Sequence, residues 1–195
     1  CGPSSRSGTT ALASSMRRRA QSIVGDVTET NPFILYRERL DSYSHAIAAG
    51  WSDEQFVDLV AKLDQEIKAV DGTGFSVTPV VDGEQLAAAL ALDIDLKVKV
   101  EINSVGGSHK ARHLFGVALH LAVEQADQDF SSAPLAIASC GNAAIAAAIV
   151  AKAIDRPIDV FVPSWAEKPA VDLLRKLGAQ IQICEPSTGE EGDPC

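Results

Sequence analysis

Apolar and polar residues alternate across residues 96–102, which read LKVKVEI. This period of two predicts a β-strand with one face committed to a core. The residues predicted to face that core are Val98, Val100 and Ile102. The alternation stops at residues 103–107, NSVGG, where the glycines permit the positive φ of a turn. A helical apolar pattern follows, and Lys110 lies at its start, at the tip of a predicted strand-to-helix turn.

A long helix is predicted between Ser52 and Gly72. Ser52 is a preferred N-cap residue, and Asp53 and Glu54 place negative charge in the first turn, where the helix dipole favours it. Apolar residues recur at helical spacing along one stripe, which predicts that this face packs inward. The stripe consists of Phe56, Leu59, Val60, Leu63, Ile67 and Val70. Gly72 and Gly74 are expected to end the helix.

Shorter elements are predicted on either side of this long helix. Upstream, a helix over residues 43–49 is expected to end at Gly50, and downstream residues 75–81 are expected to be extended. Asp82 is a preferred N-cap residue, so it is expected to cap a helix of small residues over residues 84–92. These elements precede the strand with the alternating pattern.

The second half of the chain alternates between helical and strand patterns. Helices are predicted over residues 113–125, 143–153 and 171–177, and strands over residues 134–138, 158–162 and 179–184. The predicted inward face of the first of these helices consists of Leu114, Val117, Ala118, Leu121 and Ala122. Together with the strand at residues 96–102, this βαβαβαβ order predicts an α/β fold, a parallel sheet with helices on both faces.

Charge and composition exclude several classes of protein. The net charge of -9 argues against a nucleic-acid partner, which would favour a basic surface. No apolar run is long enough for a membrane-spanning helix, so no membrane contact is expected. The cysteines form no CxxC pair, which argues against a zinc site and a disulfide framework. They are Cys1, Cys140, Cys184 and Cys195. A reducing compartment, the cytoplasm, is therefore expected.

The ends of the chain differ in composition from its middle. Residues 1–27 form a predicted disordered tail, and the abundance of Ser and Arg in residues 1–22 leaves a targeting segment as the alternative. Residues 28–95 are predicted to be a helical segment that leads into an α/β lobe at residues 96–184. The acidic residues 185–195, EPSTGEEGDPC, are a predicted linker toward a further part of the protein.

Two predicted strand-to-helix turns carry unusual residues, SVGGSHKAR at residues 104–112 and ASCGNAA at residues 138–144. In a parallel sheet both turns lie at the carboxyl ends of the strands, where α/β proteins bind ligands. Each turn also presents free backbone N–H groups at a helix N-terminus, which suits an anion. An amine beside anion sites suits a carbonyl cofactor that carries a phosphate and an amino acid that carries a carboxylate.

The motifs GSHKAR and SCGNA, in this order and at this separation, resemble those of the fold type II pyridoxal-phosphate enzymes. That group includes threonine synthase, the serine and threonine dehydratases, cysteine synthase and the tryptophan synthase β chain. The resemblance covers about residues 75–185. It includes the VTPV segment, the KVEIN strand before the lysine, and the block DVFVPSWAEKPAVDLLRKLGAQIQI. The resemblance implies pyridoxal 5′-phosphate as the cofactor and a small amino acid as the substrate.

The resemblance implies a role for each residue of the two turns. Lys110 matches the lysine that binds the cofactor aldehyde covalently, and its freed amine would then move the Cα proton of the substrate. Asn142 matches the asparagine that donates a hydrogen bond to the 3′-oxygen of the cofactor. Ser108 and His109 flank the lysine as further cofactor-binding residues, with His109 toward the phosphate. The loop around the substrate carboxylate matches Ser139, Cys140, Gly141 and Ala143.

Three residues depart from the usual motifs of the family. His109 stands where most dehydratase-like and synthase-like members have Phe, Cys140 replaces the usual Ser or Thr, and Ala143 replaces a common His. The identity of the substrate is therefore left open. The glycine-rich phosphate loop of the family and its partner for the pyridine nitrogen lie in a later segment. The chain is thus expected to be the N-terminal portion of the architecture.

The resemblance implies a lyase that carries out α,β-elimination on a small hydroxy amino acid. The KAR sequence at residues 110–112 lacks the Asp that synthase-like members often place after the lysine, which favours elimination. β- or γ-replacement, as in threonine synthase or cysteine synthase, is the first alternative. A non-catalytic fragment or binding module is the second. A homodimer is expected for the complete protein.

The residues themselves leave other chemistries open. Cys140 at a helix N-terminus has the setting of a nucleophilic thiol, and His109, His113 or His120 would supply the base of a Cys–His hydrolase. No orienting partner is evident for such a pair, so this chemistry is not favoured. His109 and His113 have the spacing of one helix face, but a metal site needs more ligands, so no metal is predicted.

Overall fold

The structure, a computed structural model, describes residues 28–125 and 133–185. Two units divide the chain, Cys1–Thr30 and Asn31–Cys195, and every element below belongs to the second. The predicted tail and all but the first residue of the predicted linker lie outside the described residues. Among the helices of the described ranges, none has both the length and the apolar character needed to cross a membrane.

Helices open the second unit, and the longest of them is the one predicted after Ser52. Their bounds are α1 (Pro32–Leu35), a 3-10 turn (Arg37–Arg39), α2 (Asp41–Ala48) and α3 (Asp53–Asp71). A capping box starts α3: the Gln55 N–H donates to Ser52 Oγ at 3.1 Å, and the Ser52 N–H donates to Gln55 Oε1 at 2.7 Å. The helix ends at Gly72, whose φ is 84°. The predicted cap, apolar stripe and stop are confirmed.

The predicted central strand is shorter than its alternating pattern. Strand β2 (Lys97–Lys99) pairs antiparallel with β1 (Val80–Asp82), and helix α4 (Glu84–Ala89) lies between them in the sequence. The prediction that Ile102 faces a core is wrong, since Ile102 is 74% exposed. The chain already turns at Glu101, whose carbonyl accepts a hydrogen bond from the Ser104 N–H at 3.0 Å.

Asp82 does not cap α4, so that prediction is also wrong. It is the last residue of β1, and its carboxylate pairs with the Lys97 ammonium at 3.1 Å across the two strands. Gly83 occupies the N-cap position without a side-chain hydrogen bond. The side chain expected to start a helix therefore supports the strand pair.

A parallel sheet contains strands β3 (Leu135–Ala138), β4 (Ile158–Pro163) and β5 (Gln180–Cys184), in the order β3-β4-β5. Helix α6 (Asn142–Ala153) connects the first pair, and α7 (Lys168–Lys176) connects the second. These βαβ connections confirm the predicted α/β fold with a parallel sheet. Because β2 is not part of this sheet, the predicted alternation of parallel strands begins only at β3.

Helices α6 and α7 pack on one face of the parallel sheet. Ile158, Val160 and Val162 alternate along β4 and are buried in a cluster with Leu174 of α7. The residues of α6 in this cluster are Ala144, Ala147, Ala148 and Ala151. Phe161 occupies the alternate position of β4, on the opposite face, and it is 37% exposed. Within the described residues, α6 and α7 therefore both cover the sheet face to which the Val160 side chain belongs.

Helix α6 lies between this cluster and a second one. The second cluster includes residues of α3, of α5 (Lys110–Glu124) and of α6 itself. An aromatic group contributes to it, in which the rings of Phe33, Phe75 and Phe115 lie with centroids 4.6–5.1 Å apart. Alanine predominates in α6, so helices and sheet approach it closely on both sides.

The buried face of α5 differs from the predicted one. Ala118 is buried as predicted, but Val117 is 42% exposed, so its assignment to the core is wrong. The buried residues of α5 are Ala111, Phe115, Ala118, Leu119 and Val123. Apolar residues occur on both sides of this helix, and periodicity alone does not identify the side that meets α6 and Phe33.

Replacement of Ala148 by Leu should destabilise the protein, because Ala148 is fully buried where α6 meets the sheet. Overpacking of this kind typically costs about 1–3 kcal/mol. Ala61→Leu on the exposed side of α3 is the matched control, and it should change the free energy of unfolding by less than about 0.5 kcal/mol. Urea unfolding of the complete protein measures both variants. Equal effects would contradict the burial of α6.

Candidate active site

The first predicted turn contains a 3-10 turn, Val105–Gly107, and Lys110 follows as the first residue of α5. Gly106 and Gly107 have φ values of 64° and 68°, a conformation that strains any residue with a side chain. Val105, the first residue of the 3-10 turn, is fully buried in the cluster that contains residues of α3 and α6. Lys110 is exposed. We call residues 104–110 the lysine corner.

Side chains hold the backbone of the lysine corner. The Gly106 N–H donates to the Asp71 carboxylate at the end of α3, at 3.3 Å from each oxygen. The Lys110 N–H donates to the buried Ser108 hydroxyl at 3.4 Å. The Lys110 ammonium itself makes no hydrogen bond or ion pair within the described residues. Lys110 thus presents an exposed amine on a supported backbone.

An ion pair between Glu101 and Arg112 flanks the lysine corner, with 3.0 Å between Glu101 Oε2 and Arg112 Nε. The Thr78 hydroxyl donates to Glu101 Oε1 at 2.5 Å, and Arg112 Nη2 donates to the Ser76 carbonyl at 3.0 Å. Burial raises the pKa of Glu101, but the hydrogen bonds from Thr78 and Arg112 outweigh that effect and hold the pKa below its ordinary value of 4.5. Glu101 is therefore a carboxylate at neutral pH.

The second predicted turn connects β3 to α6 at residues 139–143, which we call the asparagine corner. The Ser139 N–H donates to the Phe161 carbonyl of β4 at 3.1 Å, so this corner lies at the carboxyl end of the sheet. The Gly141 N–H donates to Ser139 Oγ at 3.4 Å. No side chain caps α6, and its first residue, Asn142, is exposed. Uncapped N–H groups of this kind suit a negatively charged oxygen.

The two corners are connected through α6 and not through a common sheet edge. The prediction that both turns open at the carboxyl ends of one parallel sheet is correct for the asparagine corner only, because β2 belongs to the antiparallel pair. The lysine corner packs on α6 instead: a Cβ on Gly106 would lie 3.3 Å from Ile149 Cδ1. No hydrogen bond joins Lys110 to Asn142 within the described residues.

The remaining predicted site residues lie at the same two corners. His109 is the exposed N-cap residue of α5, Cys140 is exposed, Gly141 is the extended N-cap residue of α6, and Ala143 is half-buried in its first turn. In the described part of the chain, Cys140 makes no hydrogen bond to a histidine. No group of three or more His, Cys, Asp and Glu side chains there is placed to hold a metal ion.

Sequence reasoning missed the residues that support the lysine corner. The alternating pattern places Glu101 on the polar face of a strand, and it assigns no role to Asp71, Thr78 or Arg112. One signal was available: Arg112 lies in the first turn of a predicted helical pattern, where the helix dipole disfavours a cation unless an anion is near. That signal indicates a partner without saying which acidic residue it is.

Comparison with models of protein families gives a match over residues 73–193 to the family described as pyridoxal-phosphate dependent enzyme. The matched range covers more than half of the chain and contains both corners. The chain belongs to the pyridoxal-phosphate-dependent enzyme family. The predicted resemblance and the predicted cofactor of the family are thereby confirmed. A comparison with curated protein sequences gives no significant match.

Solved structures of pyridoxal-phosphate enzymes are similar to this chain. A pyridoxal 5′-phosphate-dependent aspartate racemase matches with a TM-score of 0.51 and 22% identity, over 66% of this chain and 38% of that one. Maize serine racemase matches with a TM-score of 0.46 and 22% identity, over 66% and 37% of the two chains. The processed form of threonine deaminase isoform 2 from Solanum lycopersicum matches with a TM-score of 0.46 and 20% identity, over 67% and 34%.

The match to the aspartate racemase shows a common fold, which confirms the predicted fold type II architecture. The chain spans between 34% and 38% of the length of these three proteins. The described residues of this pyridoxal-phosphate-dependent family member therefore correspond to a part of the architecture that its relatives have.

The two corners fit the cofactor of the family. The Lys110 amine is exposed and has no partner among the described residues, so it is able to bond to an aldehyde. The exposed amide of Asn142 and the uncapped N–H groups of α6 are donors suited to the oxygen atoms of a cofactor or a substrate. Lys110 and Asn142 thus carry groups with which a pyridoxal 5′-phosphate molecule could be held.

Replacement of Glu101 by Gln should make the stability of the complete protein less sensitive to acid. Because the pKa of Glu101 is lowered in the folded state, its carboxylate stabilises the fold above the ordinary value of 4.5, and this contribution is lost as the pH falls through the folded value. The Gln variant should therefore lose stability at neutral pH and show a shallower decline below pH 4.5.

The control for this measurement is Glu38→Gln, which changes an exposed carboxylate in the 3-10 turn after α1. Urea unfolding midpoints of the two variants and the wild-type protein, measured between neutral and acid pH, give the comparison. Parallel pH profiles for Glu101→Gln and the wild-type protein would show that the Glu101 carboxylate does not support the fold.

Proposed function

We propose that the complete protein is a pyridoxal-phosphate-dependent lyase that removes the hydroxyl group of a small hydroxy amino acid by α,β-elimination. One observation carries the proposal: within the described residues Lys110 is an exposed amine without a hydrogen-bond or ion-pair partner, the lysine corner that contains it packs on α6, and no side chain there caps the start of α6 at Asn142. Membership of the family supplies the class of chemistry. The choice of elimination rests on the KAR sequence at residues 110–112.

Pyridoxal 5′-phosphate, when bound, supplies the electron sink that makes the Cα proton of an amino acid acidic. Lys110 would hold the cofactor through its amine, and Asn142 would donate a hydrogen bond to an oxygen on the cofactor ring and so orient the ring. The Lys110 amine, once the substrate amine has taken its place, would accept the Cα proton, because it would lie beside the carbon to which the substrate amine is attached.

The asparagine corner is proposed to bind the substrate carboxylate. The uncapped N–H groups at the start of α6 and the Ser139 hydroxyl are the donors available there, and Cys140 and Ala143 surround them. A carboxylate at a helix N-terminus is favoured by the helix dipole, typically by about 0.3–1 kcal/mol at an exposed site. Binding of the carboxylate at this corner would hold the substrate close to Asn142.

Loss of the Cα proton to Lys110 allows the β-hydroxyl group to leave with a proton as water. The unsaturated amino acid that leaves the site hydrolyses in water to a 2-oxo acid and ammonia. The net reaction therefore consumes no oxidant and no second substrate. A homodimer in the complete protein, a cytoplasmic location and the proposed segment boundaries after residues 27, 95 and 184 stay predictions.

Lys110→Ala in the complete protein should abolish the visible absorbance band of the lysine–pyridoxal linkage, because no other amine is proposed to bond to the cofactor. Borohydride reduction of the wild-type protein should attach the cofactor to Lys110, as measured by peptide mass spectrometry. The rate of turnover should fall by at least about a thousandfold, since the base is also removed.

Lys168→Ala is the matched control for this experiment, because Lys168 is also the exposed first residue of a helix, α7. This variant should keep the absorbance band and the site of borohydride labelling. A band that survives Lys110→Ala, or a label found on another lysine, would reject Lys110 as the cofactor lysine.

Elimination predicts that the complete protein converts L-serine or L-threonine into equal amounts of 2-oxo acid and ammonia without any added nucleophile. Condensation of the 2-oxo acid with a hydrazine reagent to a chromogenic hydrazone and a separate ammonia assay measure the two products independently. Lys110→Ala should form neither product.

Two other outcomes would replace elimination by another reaction of the same family. A product that forms only when a thiol or another nucleophile is added would indicate β- or γ-replacement. Formation of the D-amino acid without a 2-oxo acid would indicate racemisation. Chiral chromatography of the reaction mixture separates these cases.

A further inference from the structure

The Glu101–Arg112 ion pair closes the base of the loop that carries Lys110. Glu101 comes before the lysine corner and Arg112 comes after it, so the pair joins the two ends of this loop at 3.0 Å. Between them the chain contains Gly106 and Gly107, both with positive φ. Glycines lose more conformational freedom on folding than other residues, so this loop needs contacts that select one conformation.

The ion pair is itself fixed to the segment before β1. Thr78 is 5% exposed, and its hydroxyl lies 2.5 Å from Glu101 Oε1 and 3.3 Å from Arg112 Nη2. Arg112 Nη2 also donates to the Ser76 carbonyl at 3.0 Å. The side chains of Glu101 and Arg112 are only 18% and 23% exposed, so solvent screens this pair less than it screens a surface pair. The guanidinium is therefore held by several partners and not by one mobile contact.

Local helix preferences do not explain an arginine at this position. Arg112 is the third residue of α5, and a cation in the first turn of a helix is disfavoured by the helix dipole. The Glu101 carboxylate compensates for this charge at the same helix end. The position of Arg112 thus fits a role in holding the start of α5.

We propose that Glu101 and Arg112 are positioning residues that set the direction in which Lys110 presents its amine to the cofactor. The inference rests on the proposed role of Lys110. Arg112 lies within the same helical turn as Lys110, so a fixed Arg112 guanidinium fixes the backbone from which the lysine extends. The Lys110 ammonium has no partner of its own within the described residues, so the contacts that fix its position act on the backbone from which its side chain starts.

Asp71 completes the support from the opposite side. Its carboxylate accepts the Gly106 N–H from the end of α3, whereas the Glu101–Arg112 pair acts at the base of the loop. The lysine corner is thus held at its base by one ion pair and at its tip by one carboxylate. Loss of the ion pair should release the base of the loop while the Asp71 contact and the core stay in place.

The test uses Glu101→Gln, Arg112→Gln and the double variant of the complete protein. Amide hydrogen exchange of residues 104–110 without cofactor should become faster in each single variant. The rate at which added pyridoxal 5′-phosphate forms its absorbance band with Lys110 should fall at least about tenfold, since a displaced amine reacts poorly. The double variant should be no slower than the single ones, because both substitutions break the same contact.

The matched control is the Arg37–Asp53 pair, in which an arginine Nε also bonds to a carboxylate, at 2.5 Å, far along the chain from the lysine corner. Arg37→Gln and Asp53→Asn should leave the exchange of residues 104–110 and the loading rate unchanged. Should Arg112→Gln fail to fold, Arg112→Lys keeps the charge but not the planar set of donors, and slower loading is expected with an unchanged unfolding midpoint.

The outcomes separate this inference from the proposed function. A wild-type protein that forms no linkage at Lys110 overturns both. A wild-type protein that loads normally while Glu101→Gln and Arg112→Gln load at the same rate, with unchanged exchange at the lysine corner, overturns the positioning role alone. Slower loading that matches an equal fall in the control variants would likewise reject it, because the effect would then reflect general destabilisation.

Discussion

The burial of α6 on two sides is the constraint on which the rest of the structure depends. One side of the helix packs on the parallel sheet through alanines such as Ala148, and the other contacts the second cluster through Ile149. The lysine corner lies against that same Ile149, and the asparagine corner is the start of the helix. A helix of larger residues would hold the sheet and the lysine corner farther apart, because core packing leaves little free space.

The elements with strong local signals were predictable from the sequence. Ser52 and Gly72 mark the ends of α3 through a capping box and a left-handed residue, and both signals act within a few residues of the helix ends. Gly178 marks the end of α7 in the same way, with a φ of 93°. The motifs around Lys110 and Asn142 identified the family, because their order and separation are specific even where single residues depart from the usual pattern.

The features that depend on tertiary contacts were not predictable. Ile102 continues the alternating pattern, but the chain turns at Glu101, and nothing in the local sequence indicates that the strand stops there. Val117 has helical spacing with buried neighbours, yet the side of α5 that meets α6 and Phe33 lies elsewhere. Asp82 has the character of a cap, but Lys97 on the paired strand takes its carboxylate. For Val117 and Asp82 a partner distant in the sequence decides between structures that are locally equivalent.

The candidate site separates exposed chemical groups from buried supports. Lys110 is exposed, but the next residue, Ala111, is fully buried, and Asn142 is exposed only two residues before the fully buried Ala144. Reactive side chains need access to a ligand, whereas their backbone needs a fixed position, and a helix that enters the core within its first turn provides both. The groups that contact this backbone are therefore structural supports of the candidate site. For Lys110 those groups are Asp71, Glu101 and Arg112, which come from α3, the loop after β2, and α5.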